Sequence, residues 1–190
     1  AVSGSESHVA RPPAGTAQDL LPVPPQDADQ RFSPDELAAI ALYDNVNQGV
    51  VNISTRAVRV GPFRNRVEEE GSGSGWVLDQ EGHIVTNHHV VLESDEVEVT
   101  LFNGQSYPAE IIGADPANDV AVLKINAPRD ELKPVVLGSS SDLRVGQRVY
   151  AIGNPFGYQN SVTVGIISAL HRDIPVNGSQ QYNDLIQTNA

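Results

Sequence analysis

The sequence predicts an all-β protein, a barrel or a sandwich, on three observations. Short apolar segments recur along the chain with turn residues between them, several of these segments alternate apolar with polar residues, and only one segment has a convincing helical pattern. Alternation places apolar side chains on one face of a strand, as a sheet packed on one side requires. No repeat at a solenoid period is visible.

Composition excludes several classes of protein. The 190 residues carry 12 basic and 24 acidic side chains, a net charge of −12. This balance argues against nucleic acid or an anionic membrane surface as the main partner, because both are bound through basic surfaces. The absence of cysteine excludes a disulfide framework and any cysteine-based metal or redox site. No apolar segment has the length that spans a bilayer.

The first 32 residues are predicted to form a flexible, proline-rich tail. They contain two Pro-Pro pairs and no apolar period, so the segment buries too little surface to offset the entropy of ordering it. A tether or an oligomerisation strand is the alternative. A helix is predicted next, from Ser33 to about Val46, because Ser33 and Glu36 have the spacing of a capping box and Pro34 stands at the first helical position.

Strands are predicted from Val50 onward. Val97 and Val99 alternate with polar residues, and Asn103-Gly104 is the strongest hairpin signal in the chain. The other predicted strands are 50–54, 76–78, 84–86, 107–111, 120–125, 149–152 and 162–170. Residues 120–125 are almost wholly apolar, so we expect burial on both faces. Residues 61–74 are charged and then glycine-rich, and we expect a long mobile loop.

Histidines are the first candidates for chemistry, and there are five: His8, His83, His88, His89 and His171. Taken singly, each is more often a surface or structural residue; one lies in the tail and one beside a turn. A metal site is not favoured, because two adjacent histidines lack the interval that puts two imidazoles on one helix face, and no cysteine or third histidine stands at a zinc-ligand interval. We expect a site without metal or cofactor.

An ordered series of segments surrounds His89 and Asp119. The series is Gly-Ser-Gly-Trp-Val-Leu at 73–78, Thr-Asn-His-His-Val at 86–90, Asn-Asp-Val-Ala-Val-Leu at 118–123, Ile-Gly-Asn-Pro-Phe-Gly at 152–157, the strand 162–170, and Leu-Ile-Gln-Thr-Asn-Ala at 185–190. Together and in this order they resemble the HtrA/Deg family of chymotrypsin-fold serine proteases, over about residues 35 to 190.

The resemblance implies a fold and the residues of a site. The fold is a chymotrypsin-like double β-barrel with a short N-terminal helix, in which residues 33–190 form a protease domain that is incomplete at its C-terminus. The first barrel, about 50–130, is expected to be complete, and the second, from about 134, truncated. The family motif identifies His89, not His88, as the general base and Asp119 as the residue that orients it.

The chemistry of a serine protease fits these residue types. A serine hydroxyl needs a base to accept its proton during attack, and the pKa of a free imidazole lies near the working pH. An aspartate that accepts a hydrogen bond from the other ring nitrogen fixes the tautomer and stabilises the imidazolium. Taken alone, Asp119 is equally consistent with an aspartate that caps a loop before a buried strand.

The nucleophilic serine is expected outside this sequence. In the family the Gln-Thr-(Asp/Asn)-Ala segment leads directly into the stretch that holds the serine and the N–H groups of the oxyanion hole, and here it ends at Ala190. The run Ser139 to Ser141 is a polar turn, and no Gly-x-Ser-x-Gly elbow is present. We therefore expect residues 1–190 to be inactive and unstable by themselves. The break is interpreted as arbitrary or, alternatively, as a cut after alanine.

The implied function is an ATP-independent serine endopeptidase of protein quality control that cleaves unfolded or misfolded proteins. The expected partners are unfolded polypeptides, the C-terminal remainder of the protease domain, and further copies in a trimer formed through residues before about Val50. The expected location is extracytoplasmic, a periplasm or cell envelope, with a plant organelle lumen as the other possibility. The alternatives are a non-catalytic peptide-binding or chaperone-like module and a plain all-β interaction domain.

Overall fold

A computed structural model describes residues 31–60, 66–154, 160–177 and 180–190. The chain divides into two units, residues 1–37 and 38–190. Almost all of the predicted tail lies outside the described residues. In the first unit the capping box forms as predicted, since Ser33 N–H donates to the Glu36 carboxylate at 2.7 Å and Glu36 N–H donates to Ser33 Oγ at 3.3 Å. These hydrogen bonds lower the pKa of Glu36.

The predicted helix, α1 (Pro34–Val46), has the expected bounds. None of its residues is fully buried, and Leu37 and Ile40 are 37% and 41% exposed. A short 3-10 turn (Asn47–Gly49) connects it to the first strand. Among the described residues, no helix is long and apolar enough to cross a membrane.

Six antiparallel strands form a closed barrel. They are β1 (Val50–Val60), β2 (Arg66–Val77), β3 (His83–Thr86), β4 (Glu96–Thr100), β5 (Ser106–Asp115) and β6 (Val120–Ile125). The order around the barrel is β1-β2-β3-β6-β5-β4, and β4 pairs back onto β1. Because the barrel closes, each of its strands pairs with a neighbouring strand on both sides over part of its length.

One face of each strand fills the barrel. The alternation predicted for β4 is confirmed, with Val97 and Val99 buried between exposed glutamates. The prediction that β6 is buried on both faces is wrong, because Val120 is 39% exposed and only alternate residues are fully covered. The buried core comprises Val51, Ile53, Val77, Ile84, Val91, Val97, Val99, Leu101, Ala121, Leu123, Ile125 and Leu132.

The prediction of a mobile loop over residues 61–74 is wrong for residues 66–74, which belong to β2; residues 61–65 lie outside the described residues. The strand pairs with β1 from Val50 opposite Trp76 to Val60 opposite Arg66. The glycines of this segment suit a crowded strand, since a Cβ on Gly73 would lie 2.6 Å from a methyl group of Val90. Glycine here permits close packing, which composition alone does not distinguish from flexibility.

The turn between β2 and β3 is built around Gly82. Gly82 has φ +93°, and a Cβ there would clash with the carbonyl oxygen of Ile125. The Asp79 carboxylate accepts hydrogen bonds from the N–H groups of Glu81 and His83. The Asn103-Gly104 turn between β4 and β5 is confirmed, with Gly104 at φ +82°.

Three further strands form a second sheet in the order β7-β8-β9. They are β7 (Arg148–Gly153), β8 (Ser161–Asn177) and β9 (Gln180–Thr188), and β8 extends beyond the predicted 162–170. This sheet is joined to the barrel at the end of β7. Asn154 N–H donates to Ser74 Oγ at 2.8 Å, and the Asn52 amide donates to the Asn154 carbonyl at 2.8 Å. The architecture matches the chymotrypsin-like fold, with one closed barrel and part of a second.

Leu123 provides a test of the core. Its side chain is 0% exposed within the barrel. In the full-length protein we expect Leu123→Ala to lower the free energy of unfolding by about 2–5 kcal/mol, because it removes buried methyl groups and leaves a cavity. Denaturant unfolding followed by tryptophan fluorescence measures the change. The control is Leu137→Ala, since Leu137 is 65% exposed; equal losses in both variants would contradict the assignment of the core.

The second sheet generates a different prediction. Val162, Val164 and Ile166 alternate along β8 and are 43%, 59% and 45% exposed, so a polypeptide of residues 1–190 presents an apolar stripe to water. We expect this polypeptide to bind a hydrophobic dye and to self-associate with rising concentration. Changing all three residues to threonine should reduce both effects more than Val136→Thr does. A cooperative, monomeric unfolding transition without dye binding would contradict this prediction.

Candidate active site

His89 lies on a one-turn helix, α2 (His88–Val91), that follows β3 directly. Val91 is buried in the barrel core and fixes this helix against the sheet. The His89 side chain is 69% exposed, so the ring extends away from the core. The barrel therefore holds the backbone of α2 while leaving one imidazole accessible.

Asp119 lies immediately before β6. Sheet pairing brings it to His89, because Thr86 at the end of β3 is the register partner of Ala121 at the start of β6. Asp119 has φ +54°, in the left-handed region that residues other than glycine rarely adopt. Such a backbone costs about 1–2 kcal/mol, so the surrounding contacts must hold it.

Four hydrogen bonds from three consecutive residues hold Asp119. His89 N–H donates to Oδ1 at 2.8 Å, and His89 Nδ1 lies 2.7 Å from Oδ2. The Asp119 carbonyl accepts from His88 N–H at 3.2 Å and from the Asn87 side-chain amide at 3.0 Å. Because an ionised carboxylate only accepts hydrogen bonds, the proton of the neutral ring lies on Nδ1, which leaves the Nε2 lone pair free.

The Asp119 carboxyl is ionised at neutral pH. Its partial burial raises the pKa, but the hydrogen bonds from the backbone and ring of His89, together with the electrostatic influence of His89 and His88, lower the pKa below its ordinary value. A carboxyl whose pKa is lower in the folded state stabilises the fold above the unfolded pKa. That contribution is lost as the pH falls through the folded pKa of Asp119.

Contact with a carboxylate does not by itself single out His89, because the described residues contain three such pairs. His83 Nδ1 lies 2.6 Å from Asp79 Oδ2, and His171 Nδ1 lies 2.5 Å from Asp184 Oδ1. The carboxylates differ in burial. The Asp119 side chain is 18% exposed, against 38% for Asp79 and 75% for Asp184. Of the three carboxylates, only that of Asp119 is largely shielded from water, which strengthens its electrostatic interaction with the histidine ring.

His88 is not part of the pair. Its ring makes no hydrogen bond to another described residue, and only its backbone N–H contacts Asp119. The structure thus brings together the two residues that the motif singled out and leaves the neighbouring imidazole apart. The serines of the 139–141 run hydrogen-bond to one another and not to the pair, with Ser139 Oγ and Ser141 Oγ 2.9 Å apart.

One cluster within the described ranges has the donor types of a metal site. Asp79, Glu81 and His83 have donor atoms within 4.8 Å of one another in the β2–β3 turn. Both Asp79 oxygens already accept hydrogen bonds from this turn, and the Lys124 ammonium donates to the Glu81 carbonyl. The cluster therefore stabilises the turn, and the expectation of a site without metal stays a prediction.

Sequence reasoning missed the polar contacts beneath the site. Asn52 is only 3% exposed, and its amide donates to the carbonyls of Gly73 and Asn154. The Thr86 hydroxyl, also buried, donates to the Ser74 carbonyl at 2.8 Å. A signal was present, because an asparagine inside the apolar run Val-Val-Asn-Ile must find buried partners.

Comparisons with a protein family and with curated proteins both find similarity to serine proteases. Residues 73–190 match the family described as trypsin-like peptidase domain. The chain is 44% identical over 164 residues to protease Do-like 1, chloroplastic, of Arabidopsis thaliana, which covers 85% of this chain and 37% of that protein. It is 48% identical over 118 residues to a probable periplasmic serine endoprotease DegP-like of Brucella suis, which covers 62% of this chain and 22% of that protein.

Solved structures agree with these relatives. The crystal structure of Deg5 superposes with a TM-score of 0.66 at 40% identity, covering 83% of this chain and 75% of Deg5. The HtrA-type protease AlgW with a tripeptide superposes with a TM-score of 0.66 at 36% identity, covering 78% of this chain and 44% of AlgW. The chain spans less than half the length of the curated relatives named above. Fold, residue motifs and likeness agree, and the chain belongs to the HtrA/Deg family of chymotrypsin-fold serine proteases.

Proposed function

We propose that the protein is a serine endopeptidase in which His89 is the general base and Asp119 orients it. The observation that carries the proposal is the hydrogen-bonded pair, with Nδ1 at 2.7 Å from a largely buried carboxylate and the ring otherwise exposed. The homologues are proteases, which supports the reaction class.

The proposed mechanism uses both ring nitrogens. As the serine oxygen attacks the scissile carbonyl carbon, its hydroxyl proton moves to Nε2 of His89, and the imidazolium that forms is stabilised by Asp119. The same proton then passes to the leaving amine, which departs as the acyl-enzyme forms. Water attacks the acyl-enzyme with His89 again as the base, and the serine is regenerated.

The nucleophile and the oxyanion hole are proposed to lie outside residues 1–190. Within the described part of the chain no serine hydroxyl forms a hydrogen bond with His89. We propose that the residues that select the substrate side chain also lie outside residues 1–190. This chain thus supplies the base and its orienting carboxylate, and by this proposal residues 1–190 alone do not hydrolyse peptides.

The finer features of function are also proposals. We propose unfolded or misfolded polypeptides as substrates, without a requirement for ATP, and a homotrimer as the assembly. Names of relatives that are periplasmic or chloroplastic support an extracytoplasmic or organellar location. The second candidate is a non-catalytic peptide-binding or chaperone-like module on the same fold.

Asp119→Asn tests the proposed mechanism. The amide preserves the shape of the side chain but donates where the carboxylate accepted, which favours the wrong ring tautomer. We expect kcat for an unfolded protein substrate to fall by roughly 10⁴-fold in the full-length enzyme, as in the general serine-protease template. Asp184→Asn is the matched control, because Asp184 also contacts a histidine ring. Near-normal turnover in Asp119→Asn would overturn the assignment.

A fluorophosphonate probe separates the two candidate functions. The probe labels only a serine that a neighbouring base activates. We expect stoichiometric labelling of the full-length protein, loss of labelling in His89→Ala, and retention in His88→Ala. A full-length protein that binds unfolded polypeptides but takes up no probe would support the non-catalytic module instead.

A further inference from the structure

Asn87 donates a side-chain hydrogen bond to the backbone of Asp119. Its amide nitrogen donates to the Asp119 carbonyl oxygen at 3.0 Å. The other donor to this oxygen is the backbone N–H of His88, at 3.2 Å. Asn87 is therefore the one part of this arrangement that a substitution removes without deleting His89 or the carboxylate.

The position of Asn87 makes this contact unexpected. Asn87 is the N-cap residue of α2, and an asparagine at an N-cap usually accepts a hydrogen bond from an N–H of the first helical turn. Here the side chain forms no capping hydrogen bond. The amide instead extends across to the β5–β6 connection, so local helix capping does not account for its orientation.

The hydrogen bond from Asn87 acts on the backbone of Asp119, which is not in a conformation of minimum energy. Asp119 has φ +54°, and relaxation toward negative φ would rotate its side chain relative to α2. In this conformation the two carboxylate oxygens accept hydrogen bonds from the backbone N–H and from Nδ1 of His89. Holding the carbonyl therefore also holds the direction of the carboxylate.

We propose that Asn87 is a positioning residue of the active site, whose amide holds the left-handed backbone of Asp119 and so keeps the carboxylate directed at His89. This inference rests on the proposed protease function. Asn87 itself does not touch substrate or the reacting atoms. Its effect reaches the reaction through Asp119.

The test compares two substitutions in the full-length enzyme. Asn87→Ala removes the donor, and Asn87→Asp keeps a favourable N-cap residue of the same size but replaces the donor with an acceptor. We expect both variants to lower kcat by roughly 10- to 100-fold with little change in KM, because small misplacements of catalytic groups have effects of this size. Asn45→Ala is the matched control. The exposed Asn45 side-chain amide also donates to a backbone carbonyl, that of Ala41, at 2.7 Å.

A second readout reports the geometry directly. The proton on His89 Nδ1 gives a downfield NMR resonance when it is bonded to the carboxylate, and we expect it to shift or to broaden in both Asn87 variants but not in Asn45→Ala. Thermal unfolding is measured alongside, and we expect about 90% or more of each variant to stay folded at the assay temperature. Normal kcat in Asn87→Asp with a loss in Asn87→Ala would indicate capping and would overturn the inference.

His89→Ala, assayed in parallel, separates this inference from the proposed function. If His89→Ala retains turnover, the proposed base is wrong, and the inference fails with it. If His89→Ala is inactive while both Asn87 variants retain wild-type kcat and an unchanged Nδ1–H resonance, the positioning role alone is wrong. Where one Asn87 variant does not fold, the other carries the comparison.

Discussion

The antiparallel pairing of β3 with β6 is the constraint on which the site depends. Thr86 and Ala121 are partners in that ladder, so the residues just beyond each strand meet at the same end of the barrel. Strand β6 also pairs with β5, and the barrel closes through β4 and β1, so no single strand can move along its neighbour without breaking the ring of hydrogen bonds. The relative position of His89 and Asp119 is therefore a property of the whole barrel.

A set of buried polar contacts extends this constraint to the second sheet. Asn52 in β1 and Ser74 in β2 both bond to the backbone of Asn154, at the end of β7. Hydrogen bonds of this kind are directional, and a buried amide left without partners is costly, so they fix the sheet in one position where apolar contacts alone would permit sliding.

Much of the fold was predictable from residue patterns. Alternation in β4, the Asn103-Gly104 turn and the capping box at Ser33 each express a local preference, and local preferences are visible in one sequence. The strand at 66–74 was not predictable in this way, because its glycines serve packing against Val90, a contact between segments distant in sequence. The motif singled out His89 and Asp119. The left-handed backbone of Asp119 and the role of Asn87 depend on tertiary contacts that no spacing rule describes.

The three histidine–carboxylate pairs have a consequence for chemical labelling of the protein. His171 has a side chain that is 83% exposed, against 69% for His89 and 27% for His83. An acylating reagent directed at imidazoles meets these rings in order of their access to solvent, so the first ring consumed among the three is one outside the proposed site. Loss of activity would then lag behind the number of modified histidines counted by spectroscopy. Such a lag would show that the imidazole needed for catalysis and the most accessible imidazole belong to different residues.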